Sequence, residues 1–183
     1  MFKTDLSKYN NSHFNPGNFI IRMVWYIINI LVFKSSLFPF NFIKVYLLKI
    51  FGAKIGNGVI IKPNVNIKYP WNLIIKNNVW IGENVWIDCL DKVTIKEHSC
   101  ISQGAMLLCG NHNYSYSTFD LIVEPIILEE GVWIGAKSIV LPGVKAFSHA
   151  VLSVGSVATK NLDAFSIYQG NPATKIRERV ISK

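Results

Sequence analysis

Four histidines, His13, His98, His112 and His149, are the side chains of this 183-residue chain best suited to exchange a proton near neutral pH. An imidazole can act as general base on a hydroxyl or as a zinc ligand. The three cysteines, Cys89, Cys100 and Cys109, form no CxxC pair and are odd in number. A disulfide framework or a zinc ribbon needs more than that, so reduced thiols of a cytoplasmic protein are expected. What each histidine can do depends on the element that carries it.

The dominant element is a repeat of six. Large aliphatic residues recur at Ile55, Ile61 and Ile67, slip by two to Ile75, Ile81 and Ile87, and slip again to Ile95, Ile101 and Leu107. After an interruption they resume at Leu128, Ile134, Val140, Ala146, Leu152 and Ala158. A small or β-branched residue follows four positions later in most cases, as at Val59, Val79, Ala105, Ser138 and Ser156. A period of six fits neither an amphipathic helix nor an alternating strand. It fits a short strand and a tight turn, three of which make a triangular coil whose open face the next coil covers. The expectation is an all-β solenoid of about five coils, at 55–72, 75–92, 95–112, 128–145 and 146–163, with 113–127 leaving as an excursion loop.

On that framework His98 and His149 fall at the fourth position of a hexapeptide, an exposed turn, and His13 lies in a polar stretch with no framework around it. His112 stands where the six-residue rule fails and the loop begins. Residues 19–51 read as two helical segments broken at Phe38-Pro39-Phe40, a cap over the first coil. The division expected is 1–54 for tail and helical cap, 55–163 for the solenoid, and 164–183 for a basic tail packed on it.

Net charge is +8, and residues 1–68 alone carry nine Lys or Arg against Asp5. No nucleic-acid motif accompanies this excess, so anionic small ligands or a membrane surface are the expected partners. Phe19–Phe33, interrupted by Arg22, is shorter than the about 20 residues of a membrane span, and no signal peptide is evident. The reading is a cytoplasmic protein. An added contact with the inner face of the membrane through residues 19–51 would use Arg22, Lys34, Lys44 and Lys49 as its basic face.

Several runs carry a family resemblance: Leu47-Leu48-Lys49-Ile50-Phe51-Gly52-Ala53-Lys54-Ile55-Gly56, Tyr69-Pro70-Trp71-Asn72-Leu73, Ile101-Ser102-Gln103-Gly104-Ala105, Gly110-Asn111-His112-Asn113-Tyr114, Val140-Leu141-Pro142-Gly143-Val144 and Gly170-Asn171-Pro172-Ala173. From about residue 20 onward the chain resembles the left-handed β-helix, hexapeptide-repeat acetyltransferases of the colanic-acid and exopolysaccharide type, within the maltose/galactoside acetyltransferase superfamily. The resemblance implies a left-handed coil, a homotrimer with sites between subunits, acetyl-CoA as co-substrate and no required metal. It implies a sugar, nucleotide-sugar or lipid-linked glycan acceptor. His112 matches the family's catalytic position.

Carried over in the same way, Trp133, Ala136, Val154, Thr159, Lys160 and Arg177 would bind coenzyme A, the last two pairing with phosphate. Lys175 is a weaker third cation. Ordinary coil packing or a solvated basic tail accounts for these residues too. On the acceptor side stand Trp86, Asp88, Asn111 and Tyr114, with Trp80 nearby and Phe119 and Asp120 able to close over the site. Related sugar enzymes often place an Asn where this chain has Gly82, so that contact is missing. Competing readings are an N-acyltransferase on an amino sugar or amino acid, a non-catalytic scaffold, and a γ-type carbonic anhydrase, which would need three converging histidines.

Overall fold

The structure, a computed structural model, describes residues 2–182. Its body is a parallel β-solenoid with three faces. Strands 54–55, 73–75, 93–95, 126–128 and 145–146 stack as the first face. Strands 60–61, 80–81, 100–101, 133–134 and 151–152 make the second, and 66–67, 86–87, 106–107, 139–140 and 157–158 the third. Every stack is in register, Ile61 on Ile81 on Ile101 on Ile134 for instance. The inward aliphatic residues from Ile61 to Ala158 are buried. Each fully buried Ile contributes about 1.5–3 kcal/mol.

The corners explain the rest of the hexapeptide. Its fourth residue takes a left-handed backbone, as at Asn64, Asn78, Asn84, His98, Lys137 and His149. Asn tolerates this conformation and Gly prefers it. Where the first turn position is glycine it stacks against the backbone of the next coil: a Cβ on Gly82 would stand 2.8 Å from the Gln103 nitrogen, and one on Gly135 2.6 Å from that of Val154.

All irregularities fall at one corner, between the third and first faces. The two-residue slips form a 3-10 turn at Pro70–Asn72 and a tight turn through Asp88–Asp91. In the next coil the same corner throws out a hairpin arm, Gly110–His112 pairing antiparallel with Leu121–Val123. Two expected boundaries shift as a result. His112 belongs to the arm rather than to the end of the third coil. The solenoid resumes at Ile126, paired with Val93, rather than at Leu128.

The open N-terminal end is closed by α1 (Phe19–Ile28), a π-helical continuation (Asn29–Phe33) and α2 (Asn41–Ile50). Their polar side chains satisfy the orphan edge of the first coil. Trp25 Nε1 donates to the Ile67 carbonyl at 2.8 Å. Asn41 donates to Val59 O and accepts from Ile61 N. Lys44, expected on a basic outer face, is buried instead and donates to Lys62 O at 3.0 Å. Desolvation pulls its ammonium below the usual lysine range. At the far end a hairpin, Ser166–Gly170 with Ala173–Glu178, extends the second face and covers the last coil.

Candidate active site

His112 is half-buried on the arm and held on two sides by Phe119. Its Nδ1 lies 3.0 Å from the Phe119 carbonyl. A carbonyl only accepts, so Nδ1 must carry the proton, and Nε2 of the neutral ring keeps a free lone pair. The Phe119 ring stacks flat on the imidazole, centroids 4.4 Å apart and planes 9° apart. Phe119 itself sits at φ 55°, a backbone costing about 1–2 kcal/mol for a bulky residue.

The arm is anchored by Asp88. Its Oδ1 accepts from Cys109 N at 2.8 Å and Leu90 N at 3.4 Å, and its Oδ2 from Gly110 N at 3.3 Å. The carboxylate is therefore buried and occupied by backbone amides, and it lines neither cavity that His112 lines. The neighbouring thiols are poor nucleophiles. Burial, then the negative Asp88, push Cys109 up to about 12, and burial raises Cys89 well above the thiol range.

Two cavities meet at His112. One, of about 360 Å³, is lined by His112, Asn111, Tyr114, Glu124, Pro142 and Thr159, among others. The other, of about 510 Å³, lies under the N-terminal segment, with Tyr9, Asn11, Phe14 and Arg22 in its wall. That segment is tied to the arm by Asp5 N to Ser117 O at 2.8 Å and Asn10 N to Asp120 Oδ1 at 3.0 Å. Tyr9 packs tilted against His112 at 5.9 Å. Sequence reasoning missed this wall. The one signal was two aromatics, Tyr9 and Phe14, in an otherwise polar stretch.

The remaining predicted residues are distributed around the prism. Asn111, Tyr114 and Thr159 gather with His112, and Lys160 follows Thr159 at the same corner, exposed. Trp133 points outward on the second face, its Nε1 donating to Ser102 Oγ at 2.9 Å. Ala136 and Val154 sit at the corner between the second and third faces, so the whole third face separates them from His112 within one chain. Arg177 is exposed on the terminal hairpin, opposite Ile167. Lys175 is engaged by Glu178 at 2.7 Å and Asp163 at 3.9 Å. Trp80, Trp86 and Asp88 do not converge: they lie on the second face, the third face and the arm corner. Gly82 is at the same corner as Ala136 and Val154, the second corner, between the second and third faces, where stacking excludes a side chain. His13 and His98 are exposed, whereas His149 is half-buried against Phe165 at 4.7 Å. Among the described residues no three His, Cys, Asp or Glu side chains are grouped to hold a metal ion.

A hexapeptide solenoid with a histidine-bearing arm at one corner is the architecture expected of the hexapeptide-repeat acetyltransferases. No protein-family model matches the chain. It is 36% identical over 167 residues, 91% of this chain and 92% of the relative, to an Escherichia coli K12 protein named as a colanic acid biosynthesis acetyltransferase, WcaF. A hexapeptide-repeat acetyltransferase from Vibrio cholerae, solved with acetyl-CoA, shares the fold with a TM-score of 0.80 at 19% identity, covering 88% of each chain. A galactoside acetyltransferase solved with coenzyme A gives 0.73 at 24% identity, over 87% of this chain and 78% of that one. The chain belongs to the hexapeptide-repeat acetyltransferases, in the family of colanic acid biosynthesis acetyltransferases.

Proposed function

We propose that this acetyltransferase moves an acetyl group from acetyl-CoA to a sugar hydroxyl, in the building of a surface or exopolysaccharide, with His112 as general base. The observation that carries this is the Nδ1 contact with Phe119 O, which leaves Nε2 unprotonated beside an open cavity. In a ternary complex Nε2 takes the hydroxyl proton as the sugar oxygen attacks the thioester carbonyl. The tetrahedral oxyanion collapses, the C–S bond breaks, and the imidazolium returns the proton to the departing sulfur. The high thiol range of Cys89 and Cys109 favours this direct route over an acyl-cysteine.

The donor reading rests on the small residues Ala136 and Val154 at the second corner, beside the indole of Trp133, which suit a pantetheine arm. Thr159 would line the end nearer His112, and Lys160 and Arg177 would meet phosphate. Because Trp133, Ala136 and Val154 are separated from His112 by the whole third face, one chain does not bring them together, and a homotrimer with sites between copies is the arrangement proposed to do so. Exposed Trp80 and Trp133 on the second face give the copies an apolar surface to share. Asn111, Tyr114 and Trp86 remain the proposed acceptor contacts. Asp88 is proposed to position the arm rather than to touch sugar. The proposed setting is the cytoplasm, at the inner face of the membrane. No helix among the described residues is long and apolar enough to cross one.

Replacing His112 by Ala should lower acetyl transfer by about 10²-fold or more while acetyl-CoA binding, read by calorimetry, stays near wild type. Full activity in that variant would sink the mechanism. Transfer to amines but to no glycan hydroxyl, in a mass-spectrometric acceptor screen, would favour an N-acyltransferase instead.

A further inference from the structure

Two cations line the cavities between the helical cap and the arm corner. α1 and its π-helical continuation present Arg22, Trp25 and Asn29 toward the first coil. Trp25 bonds to Ile67 O, and Asn29 Nδ2 donates to Asn66 Oδ1 at 2.7 Å, which fixes the register of the helix. Arg22, one turn earlier, shares its cavity walls with the corner residues Lys68 and Tyr69. Arg22, Lys68 and Tyr69 line both the 510 Å³ cavity that reaches His112 and a second, of about 370 Å³, that contains Trp86 and Lys34. Neither lining includes an Asp or Glu. Among the described residues neither Arg22 nor Lys68 stands within ion-pair distance of a carboxylate. Arg22 Nε is buried with no hydrogen-bond partner.

Two cations that line the same cavities with no carboxylate among the lining residues, one with a buried unpaired Nε–H, leave those walls electropositive, and an anion entering there gains from both and supplies the missing acceptor. A guanidinium and an ammonium are the usual cradle for phosphate oxygens, and the indole of Trp86 and phenol of Tyr69 offer faces to a sugar ring. We propose that Arg22 and Lys68 bind the phosphate of a diphosphate-linked glycan, so that the acceptor is a phosphate-bearing sugar whose hydroxyl reaches His112. This rests on the acetyl-transfer reading above. The shared chemistry is the sugar diphosphate, carried either by a nucleotide or by a polyprenyl lipid.

The test uses the full chain saturated with coenzyme A, which fills any donor phosphate site, titrated with inorganic pyrophosphate. The expected result is saturable binding that falls at least tenfold in Arg22→Gln/Lys68→Gln and recovers in part with Arg22→Lys. It should be unchanged in Lys49→Gln, an exposed cation elsewhere on the cap. Absence of pyrophosphate binding, or binding indifferent to Arg22 and Lys68 in a variant that melts like wild type, would overturn the assignment. Displacement of pyrophosphate by a nucleotide-diphosphate sugar or by a polyprenyl-diphosphate sugar identifies the carrier, and displacement by neither also overturns it. Loss of transfer in His112→Ala is read separately, so failure of this site and failure of the acetyl-transfer mechanism are distinguishable.

Discussion

At the scale of single residues, Phe119 does for the proposed base His112 what a carboxylate does in many general bases: it fixes the tautomer, here through a neutral carbonyl. Phe119→Ala keeps the carbonyl but removes the stacked ring, and Ala is still strained at φ 55°. Its kcat should fall by about tenfold with KM for acetyl-CoA little changed, as expected for a residue acting through the base. Asp88→Asn should act differently. An amide in its place presents one acceptor oxygen to amides that now share a carboxylate, so the arm should loosen and stability should drop by about 1–3 kcal/mol in chemical denaturation. The break in the repeat and the resemblance both marked His112, but nothing in the spacing marked the Phe119 carbonyl, because backbone acceptors leave no residue signature. Asp88 was legible as a carboxylate beside the site and not as an anchor, since its partners are backbone amides of Leu90, Cys109 and Gly110.

At the scale of elements, the hexapeptide was readable because every inward Ile repeats the same strand-and-turn solution. The arm was not, because a hairpin that leaves and returns within one corner obeys its own alternation. Gly110–His112 therefore read as coil and Ile126 as loop. Lys44 was misplaced for a related reason. Helical periodicity put a charge outside, whereas the edge of the first coil needed a donor for Lys62 O. Glu129, on the first face, holds Lys145 at 3.1 Å and Lys96 at 3.5 Å and accepts from Ser148. The Lys145 contact leads in pulling its carboxyl below the usual range, against a smaller opposing desolvation. A depressed carboxylate stabilises the fold above its unfolded value and loses that contribution as pH falls through the folded value. Glu129→Gln should thus be less stable than wild type at neutral pH by about 1 kcal/mol, and the two melting temperatures should converge in acid.

At the scale of the whole molecule, the prism sets Ala136 and Val154 of the proposed donor site a full face away from His112, and the second copy of the chain is what would reunite them. Neither the hand of the coil nor this association could be read from periodicity, which describes one chain and is blind to handedness. The resemblance supplied both. Co-expression of His112→Ala with Val154→Trp tests the account most directly, since Val154 is exposed and a bulky side chain there can block the second corner without disturbing the core. Each variant alone should transfer acetyl at about one hundredth of the wild-type rate or less. Mixed oligomers contain some sites with an intact histidine from one copy and an intact donor corner from another. They should recover a sizeable fraction of wild-type activity. Mixed oligomers no more active than the separate variants would contradict a site built by His112 of one copy and the donor corner of the next.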